Sequence, residues 1–222
     1  MELFVDVGGV KLFCKKTGQG DPILLLHGNG EDHRIFDVLA PQLAEHFTVY
    51  AVDSRGHGRS TPVKYYDYTQ MAQDIVRMTE VLGIEHPMLY GLSDGGIIGL
   101  LIAIEHPDLL KKLVISGANC NPQGLTKFCR AAIRGAFLVS HDPRQELMLT
   151  QPNITGPQLR GITVPTMVLA GEHDAVRTAH TRAIAEAIPG AKLQILPGQN
   201  HTSYVVHSDL LYPAVQNFLL GE

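Results

Sequence analysis

Cysteine is scarce in this sequence: Cys14, Cys120 and Cys129 are the only three in 222 residues. The number is odd and no Cys-x-x-Cys occurs. That argues against a disulfide framework and for a reducing compartment. Long hydrophobic runs are also missing. The longest, "IIGLLIAI", falls far short of the roughly 20 residues that span a bilayer. The opening "MELFVDVGGVKLFCKK" has no basic region followed by a long apolar core, so no secretory signal is expected. A cytoplasmic protein with no membrane partner is the expectation. Positive charge is not in excess: Lys and Arg total 18 against 22 Asp and Glu, a net charge of -4 with His neutral. The one basic stretch, Lys127 to Arg134, is short, which argues against a nucleic-acid partner. No repeat, low-complexity tract or exposed linker divides the chain.

What remains is an ordinary globular composition, 45% hydrophobic and 18% charged, long enough to bury one full core. "LFVDV" and "VKLFC" flank Gly8-Gly9 as a hairpin would. "PILLLHG" is a continuous apolar run, the mark of a strand buried on both faces of a parallel sheet. "FTVYAVD", "PMLYGLS", "KKLVISG", "VPTMVLAG" and "AKLQILPG" read as further strands. Between them, "HRIFDVLAPQLAEH", "YTQMAQDIVRMTEVLG", "DGGIIGLLIAIEHP" and "RTAHTRAIAEAIPG" have helical character, and "SDLLYPAVQNFLLGE" closes the chain as a helix. The alternation predicts an α/β fold with a mostly parallel sheet. Residues 118–155 break it. They carry no strand signal and include one amphipathic helix, "TKFCRAAIRGAFLV". The expected organisation is a core of residues 1–117 and 156–222 with a small helical insertion at 118–155.

Gly91-Leu92-Ser93-Asp94-Gly95 matches Gly-x-Ser-x-Gly between an expected strand and an expected helix. In that context the pattern is a nucleophile elbow. Gly91 and Gly95 remove Cβ atoms that a sharp turn would crowd. The Ser93 hydroxyl is then presented at a helix N-terminus, whose dipole favours developing negative charge. The plainer reading is an N-cap serine. A serine needs a base, usually a histidine oriented by a carboxylate. Where such an elbow carries the nucleophile, acid and histidine follow it in that order. Asp174 follows the penultimate strand in "VLAGEHDAV". His201 follows the last strand in "ILPGQNHTSY". Both stand at carboxyl ends of parallel strands, where open α/β sheets build their sites. Glu172, His173 and His207 are the competitors. Glu172 directly follows the strand and is expected to point elsewhere, and His207 is expected on the surface. The oxyanion donors would be the backbone N–H groups of Asp94 and of Asn29, the latter in "LLLHGNGED".

"LLLHGNG", "AVDSRGHGRS", "YGLSDGG", "VPTMVLAGEHD" and "PGQNH" resemble the ordered motifs of the α/β-hydrolase superfamily across nearly the whole chain. The resemblance implies an eight-stranded sheet, a cap inserted after the sixth strand, no cofactor and a Ser-His-Asp mechanism. It implies that Asp53, Arg55 and His57 are mainly structural. "GLSDGGIIGL" with "LVISGAN" is more closely similar to the valacyclovir hydrolase-like branch. There the acidic residue after the serine binds the amino group of an amino-acid ester, and Asp94 is the matching position. Its carboxylate could equally just favour the helix dipole, worth about 0.3–1 kcal/mol. His27 and His33 lack metal-ligand spacing, and no His-Glu-x-x-His or Gly-x-Gly-x-x-Gly occurs, so no metal or dinucleotide is expected. Arg130, Arg134, His141 and Arg144, in or near the insertion, are expected to be solvated, though one could meet an acidic substrate group. The resulting expectation is a serine esterase for small carboxylic esters, with amino-acid esters as a narrower possibility. Thioester, C–C bond, perhydrolase or cofactor-free lyase chemistry on the same triad is the alternative, and a non-catalytic ligand-binding protein the remote one. A serine at the elbow disfavours the dehalogenase and epoxide hydrolase chemistries that use an aspartate there.

Overall fold

The computed structural model describes residues 1–221. The chain opens with an antiparallel hairpin of β1 (Glu2–Asp6) and β2 (Lys11–Thr17). The Asp6 carboxylate accepts the N–H groups of Gly8 and Gly9 at 2.9 and 3.0 Å, which fixes the turn. Six more strands follow: β3 (Asp21–Leu26), β4 (Phe47–Val52), β5 (Met88–Leu92), β6 (Lys112–Ser116), β7 (Thr166–His173) and β8 (Lys192–Asn200). They form one eight-stranded sheet in the order β1-β2-β4-β3-β5-β6-β7-β8. β2 pairs antiparallel with β4, and all pairs from β4 to β8 are parallel.

β3 shows why its sequence is apolar from Ile23 onward. Ile23, Leu24, Leu25 and Leu26 are all fully buried. Successive side chains point to opposite faces, so Leu24 and Leu26 join one core cluster and Ile23 and Leu25 the other. The first cluster lies under α2 (Tyr68–Leu82), α3 (Asp94–Glu105) and α7 (Thr178–Ala187). The second lies under α1 (Leu39–Leu43) and α8 (Leu211–Leu220). Each such leucine contributes about 1.5–3 kcal/mol by leaving water. Glu222, the last residue of the expected closing helix, lies outside the described residues.

α2 runs as its pattern demands. The Asp67 side chain caps it by accepting the Gln70 N–H, and Gly83 ends it with φ 62°. α3 is buried from Asp94 to Ala103, as an all-apolar helix must be. One expected helix does not run through: "HRIFDVLAPQLAEH" divides into a 3₁₀ turn (His33–Phe36) and α1. Pro41 is the reason. It has no N–H for the Asp37 carbonyl, so a continuous helix would lack that bond.

The segment between β6 and β7, residues 117–165, holds α4 (Lys127–Ser140), α5 (Pro143–Thr150) and α6 (Gly156–Arg160). Only α4 has a clear apolar stripe in the sequence. α5 buries just Leu147, and α6 is one short turn beyond residue 155. Both are marked instead by their starts: Asp142 before Pro143, and a Thr155–Gln158 capping box. Among the described residues no helix is long and apolar enough to cross a membrane.

Candidate active site

β5 ends at Leu92 and α3 begins at Asp94, so Ser93 alone makes the turn. Its φ of 51° and ψ of -113° lie in a region that L-residues rarely adopt. Its N–H donates to the Ser116 carbonyl at 2.7 Å, which pins the turn to the neighbouring strand. An N-cap serine has extended backbone and bonds the helix's first amides. Ser93 does neither: it makes no side-chain cap bond. The geometry therefore separates the two readings of this serine, in favour of a strained elbow on a partly buried residue. The flanking glycines have distinct reasons. A Cβ on Gly91 would stand 2.2 Å from the Gly95 carbonyl oxygen, and one on Gly95 would stand 2.2 Å from the Leu26 carbonyl oxygen in β3.

Asp174 and His201 are brought together from the ends of β7 and β8. His201 Nδ1 lies 2.7 Å from Asp174 Oδ1. A carboxylate can only accept, so Nδ1 carries the proton and neutral His201 keeps its lone pair on Nε2. Asp174 is itself held rigidly. Its Oδ1 also accepts the Val176 N–H at 2.9 Å, and its Oδ2 accepts the Gly171 N–H at 3.2 Å. Burial pushes the His201 pKa down, but the hydrogen bond and charge of Asp174 outweigh it, with Glu31 and Asp94 adding to them. The result lies above the usual imidazole value. The competitors are elsewhere. Glu172 is exposed and accepts the Gly198 N–H, His173 is exposed, and His207 is exposed against Asp37.

Ser93 Oγ makes no hydrogen bond to His201 in this structure. Such contacts often tighten only when substrate is bound. Gly117, at the end of β6, makes room for the ring. Its φ is +60°, and a Cβ there would stand 2.7 Å from His201 Cε1. The sequence reading missed Gly117, although "VISG" marks a glycine ending a strand beside the elbow.

The loop after β3 is clamped on nearly every side. His27 is buried, donates from Nδ1 to the Gly28 carbonyl at 2.8 Å and accepts the Ser54 N–H on Nε2 at 3.0 Å. Burial, with the neighbouring His57, pushes its pKa down to about 4, so it stays neutral. The Gly28 N–H donates to Glu31 Oε2 at 2.9 Å. Burial raises the Glu31 pKa, and the Gly28 bond opposes that. The Asn29 side chain reaches Asp94 Oδ2 at 2.9 Å and the Arg144 carbonyl at 3.3 Å. Among the described residues, no protein acceptor meets the backbone N–H of Asn29 or of Asp94.

The Asp94 carboxylate stands in the first turn of α3, where the dipole reading puts it, and is also held by side chains. It is buried, and its second oxygen accepts the Tyr68 hydroxyl at 2.6 Å. Burial raises its pKa against the pull of Tyr68 and Asn29. Tyr68 and Glu31 were not singled out in the sequence, because nothing local marks a tyrosine on α2 as reaching α3.

Other polar residues are structurally committed. Asp53 is fully buried and accepts from the His33 N–H, the His33 ring and the Arg59 N–H. Arg55 pairs with Asp74 through two bonds of 2.5 Å, and His57 Nδ1 donates to the Arg55 carbonyl. Asp32, His33 and Asp53 place ligand-type atoms within 4.8 Å of one another. Arg34 and backbone amides already occupy those carboxylates, so the set does not fit a metal. Arg144 pairs with Asp142, and His141 is exposed. Arg130 and Arg134 line an open groove of about 650 Å³ between α4 and α5, to which no candidate catalytic residue contributes.

A family model described as alpha/beta hydrolase fold matches residues 21–138. Serine hydrolase BPHL of Homo sapiens is 28% identical over 252 residues, covering 97% of this chain and 85% of that protein. That alignment is longer than this chain, so the human protein carries insertions absent here. The putative carbamate hydrolase RutD of Caulobacter sp. (strain K31) is 30% identical over 229 residues, covering 82% of this chain and 85% of that one. The enol-lactonase of Burkholderia xenovorans LB400 superposes with a TM-score of 0.84 at 24% identity, covering 98% of this chain and all of that one.

Proposed function

The chain belongs to the alpha/beta hydrolase fold family, and from that premise we propose that it is a serine hydrolase cleaving small carboxylic esters through an acyl-enzyme. The observation that carries the reading is His201 on Asp174 at 2.7 Å together with a strained, uncapped Ser93 at the end of β5, whose N–H bonds Ser116 next to the Gly117 that faces the His201 ring. Ser93 Oγ attacks the ester carbonyl carbon as its proton passes to His201 Nε2. The backbone N–H groups of Asn29 and Asp94 meet the oxyanion. Asp174 holds the reactive tautomer and stabilises the imidazolium. His201 then protonates the leaving alkoxide, releasing the alcohol and leaving acyl-Ser93. Water attacks that ester, giving its proton to His201, and the acid leaves as Ser93 Oγ takes the proton back.

Residues 118–155 are proposed to form a small cap. A small cap leaves the site open, which favours short-chain and small aryl esters. Amino-acid esters are a narrower candidate class resting on Asp94. Its carboxylate already accepts from Asn29 and Tyr68, so simple esters are the better-supported substrates.

The test is turnover of p-nitrophenyl acetate and butyrate by wild type and Ser93→Ala. Turnover of at least one ester is expected, with kcat falling on the order of 10⁶-fold in the variant. Thioester, carbamate and diketone substrates in the same panel decide which bond is preferred. Efficient turnover of one of those, with neither ester cleaved, would replace the esterase reading.

A further inference from the structure

We propose that the Asp94 carboxylate is a positioning group for the oxyanion loop, holding Asn29 in place together with Tyr68 rather than reading the substrate. This rests on the assignment of the Asn29 and Asp94 amides as oxyanion donors.

Three elements meet at this carboxylate. Asp94 opens α3, Tyr68 opens α2, and Asn29 lies in the loop after β3. A buried carboxylate is costly without donors. This one has a donor on each oxygen, Tyr68 Oη at 2.6 Å and Asn29 Nδ2 at 2.9 Å. Asp94 is 3% exposed, so little of it is left for a ligand. The Asn29 amide uses its other hydrogen on the Arg144 carbonyl in α5. Its side chain thus spans from the elbow helix to the inserted helices. The backbone on its other side is fixed by His27, Glu31 and the Gly95 N–H on the His27 carbonyl. A donor aimed at an oxyanion must be held before charge develops. Asp94 supplies that hold from the same residue whose own N–H is the partner donor.

The hold requires hydrogen-bond geometry, not charge. An asparagine at 94 can accept from Asn29 through its carbonyl and donate to the Tyr68 oxygen, keeping both links. The experiment measures kcat and KM for p-nitrophenyl acetate on Asp94→Ala, Asp94→Asn, Asn29→Ala and the Asp94→Ala/Asn29→Ala double variant. Each kcat is normalised to the sites that a fluorophosphonate labels at completion. Losing one donor outright costs about 10² to 10³ in rate, and misplacing it should cost about ten- to a hundredfold. Asp94→Ala is expected to lose that factor in kcat with KM within about twofold. Asp94→Asn is expected to recover at least about tenfold of the loss. The double variant is expected to be little worse than the worse single one, because both break one link. A merely structural Asp94 would change the labelled fraction and the melting temperature but not kcat per labelled site. If Asp94→Ala fails to fold, Asn29→Ala reads the same link from the loop side. Unchanged kcat in Asn29→Ala, an Asp94→Asn as poor as Asp94→Ala, or additive losses in the double variant overturn the proposal. Failure of the wild type to label or turn over overturns the ester-hydrolase reading instead, so the two failures are distinct.

Discussion

Gly117→Ala perturbs the candidate site without replacing any reacting group. Its methyl would stand 2.7 Å from His201 Cε1 and 2.8 Å from Nδ1, where ordinary contact begins at 3.4 Å. The ring must therefore shift by about 0.7 Å, which disturbs the 2.7 Å contact of Nδ1 with Asp174. The site is dense there, since Asp174 Oδ2 is only 3.4 Å from the new methyl. A displacement near 1 Å in a catalytic group costs about 10² in rate, so kcat/KM should fall about ten- to a hundredfold. The alanine would also sit at φ +60°, a strain of roughly 1–2 kcal/mol. Gly190→Ala supplies the control. Its φ is +71°, yet nothing lies within 4 Å of the added methyl. Both variants should melt a few degrees early, and only Gly117→Ala should lose activity. The assay is p-nitrophenyl acetate hydrolysis at saturating and limiting substrate, beside thermal denaturation. A Gly117→Ala enzyme within twofold of wild type, or a Gly190→Ala enzyme equally impaired, would refute the reasoning.

His201 must be neutral to take a proton, and its pKa is held above the usual value of about 6.5. The pH profile of kcat/KM should therefore rise with pH along a limb centred above about 6.5 and level off, and a midpoint below 6 contradicts the assignment. Asp174→Asn should lower kcat by about 10⁴, while Glu172→Gln, on an exposed side chain, should stay within a few-fold in the same assay. Gly95→Ala places a methyl 2.2 Å from the β3 backbone, so a drop of about 1–3 kcal/mol in unfolding free energy is expected by denaturant titration.

The core was legible wherever one physical rule dominated locally. The apolar run Ile23–Leu26 could only be a strand covered on both faces, and Gly83 could only end α2. Ser93, Asp174 and His201 were legible because a steric motif and chain order constrain them together. The rest depended on contacts between distant elements. Nothing near Tyr68 says that its hydroxyl meets α3, and nothing near Gly117 says that an imidazole 84 residues later packs on it. Asp94 shows the limit most clearly. Its sequence neighbours permitted a dipole role or an amine site, and only the fold supplied Asn29 and Tyr68. α5 and α6 escaped because caps, not apolar periodicity, define them. The split of the helix ahead of Leu39, which Pro41 imposes, was written in the sequence but outweighed there by the spacing of Ile35, Leu39 and Leu43.

The central claim is that Ser93 is a nucleophile activated by His201. Its most direct test is covalent labelling with a fluorophosphonate, followed by peptide mass spectrometry of the folded wild type and of Ser93→Ala. The expected result is one adduct per chain on Ser93, absent in Ser93→Ala and formed at least about 10²-fold more slowly in His201→Ala. No adduct on folded wild type, an adduct on another residue, or a labelling rate indifferent to His201 would contradict the account.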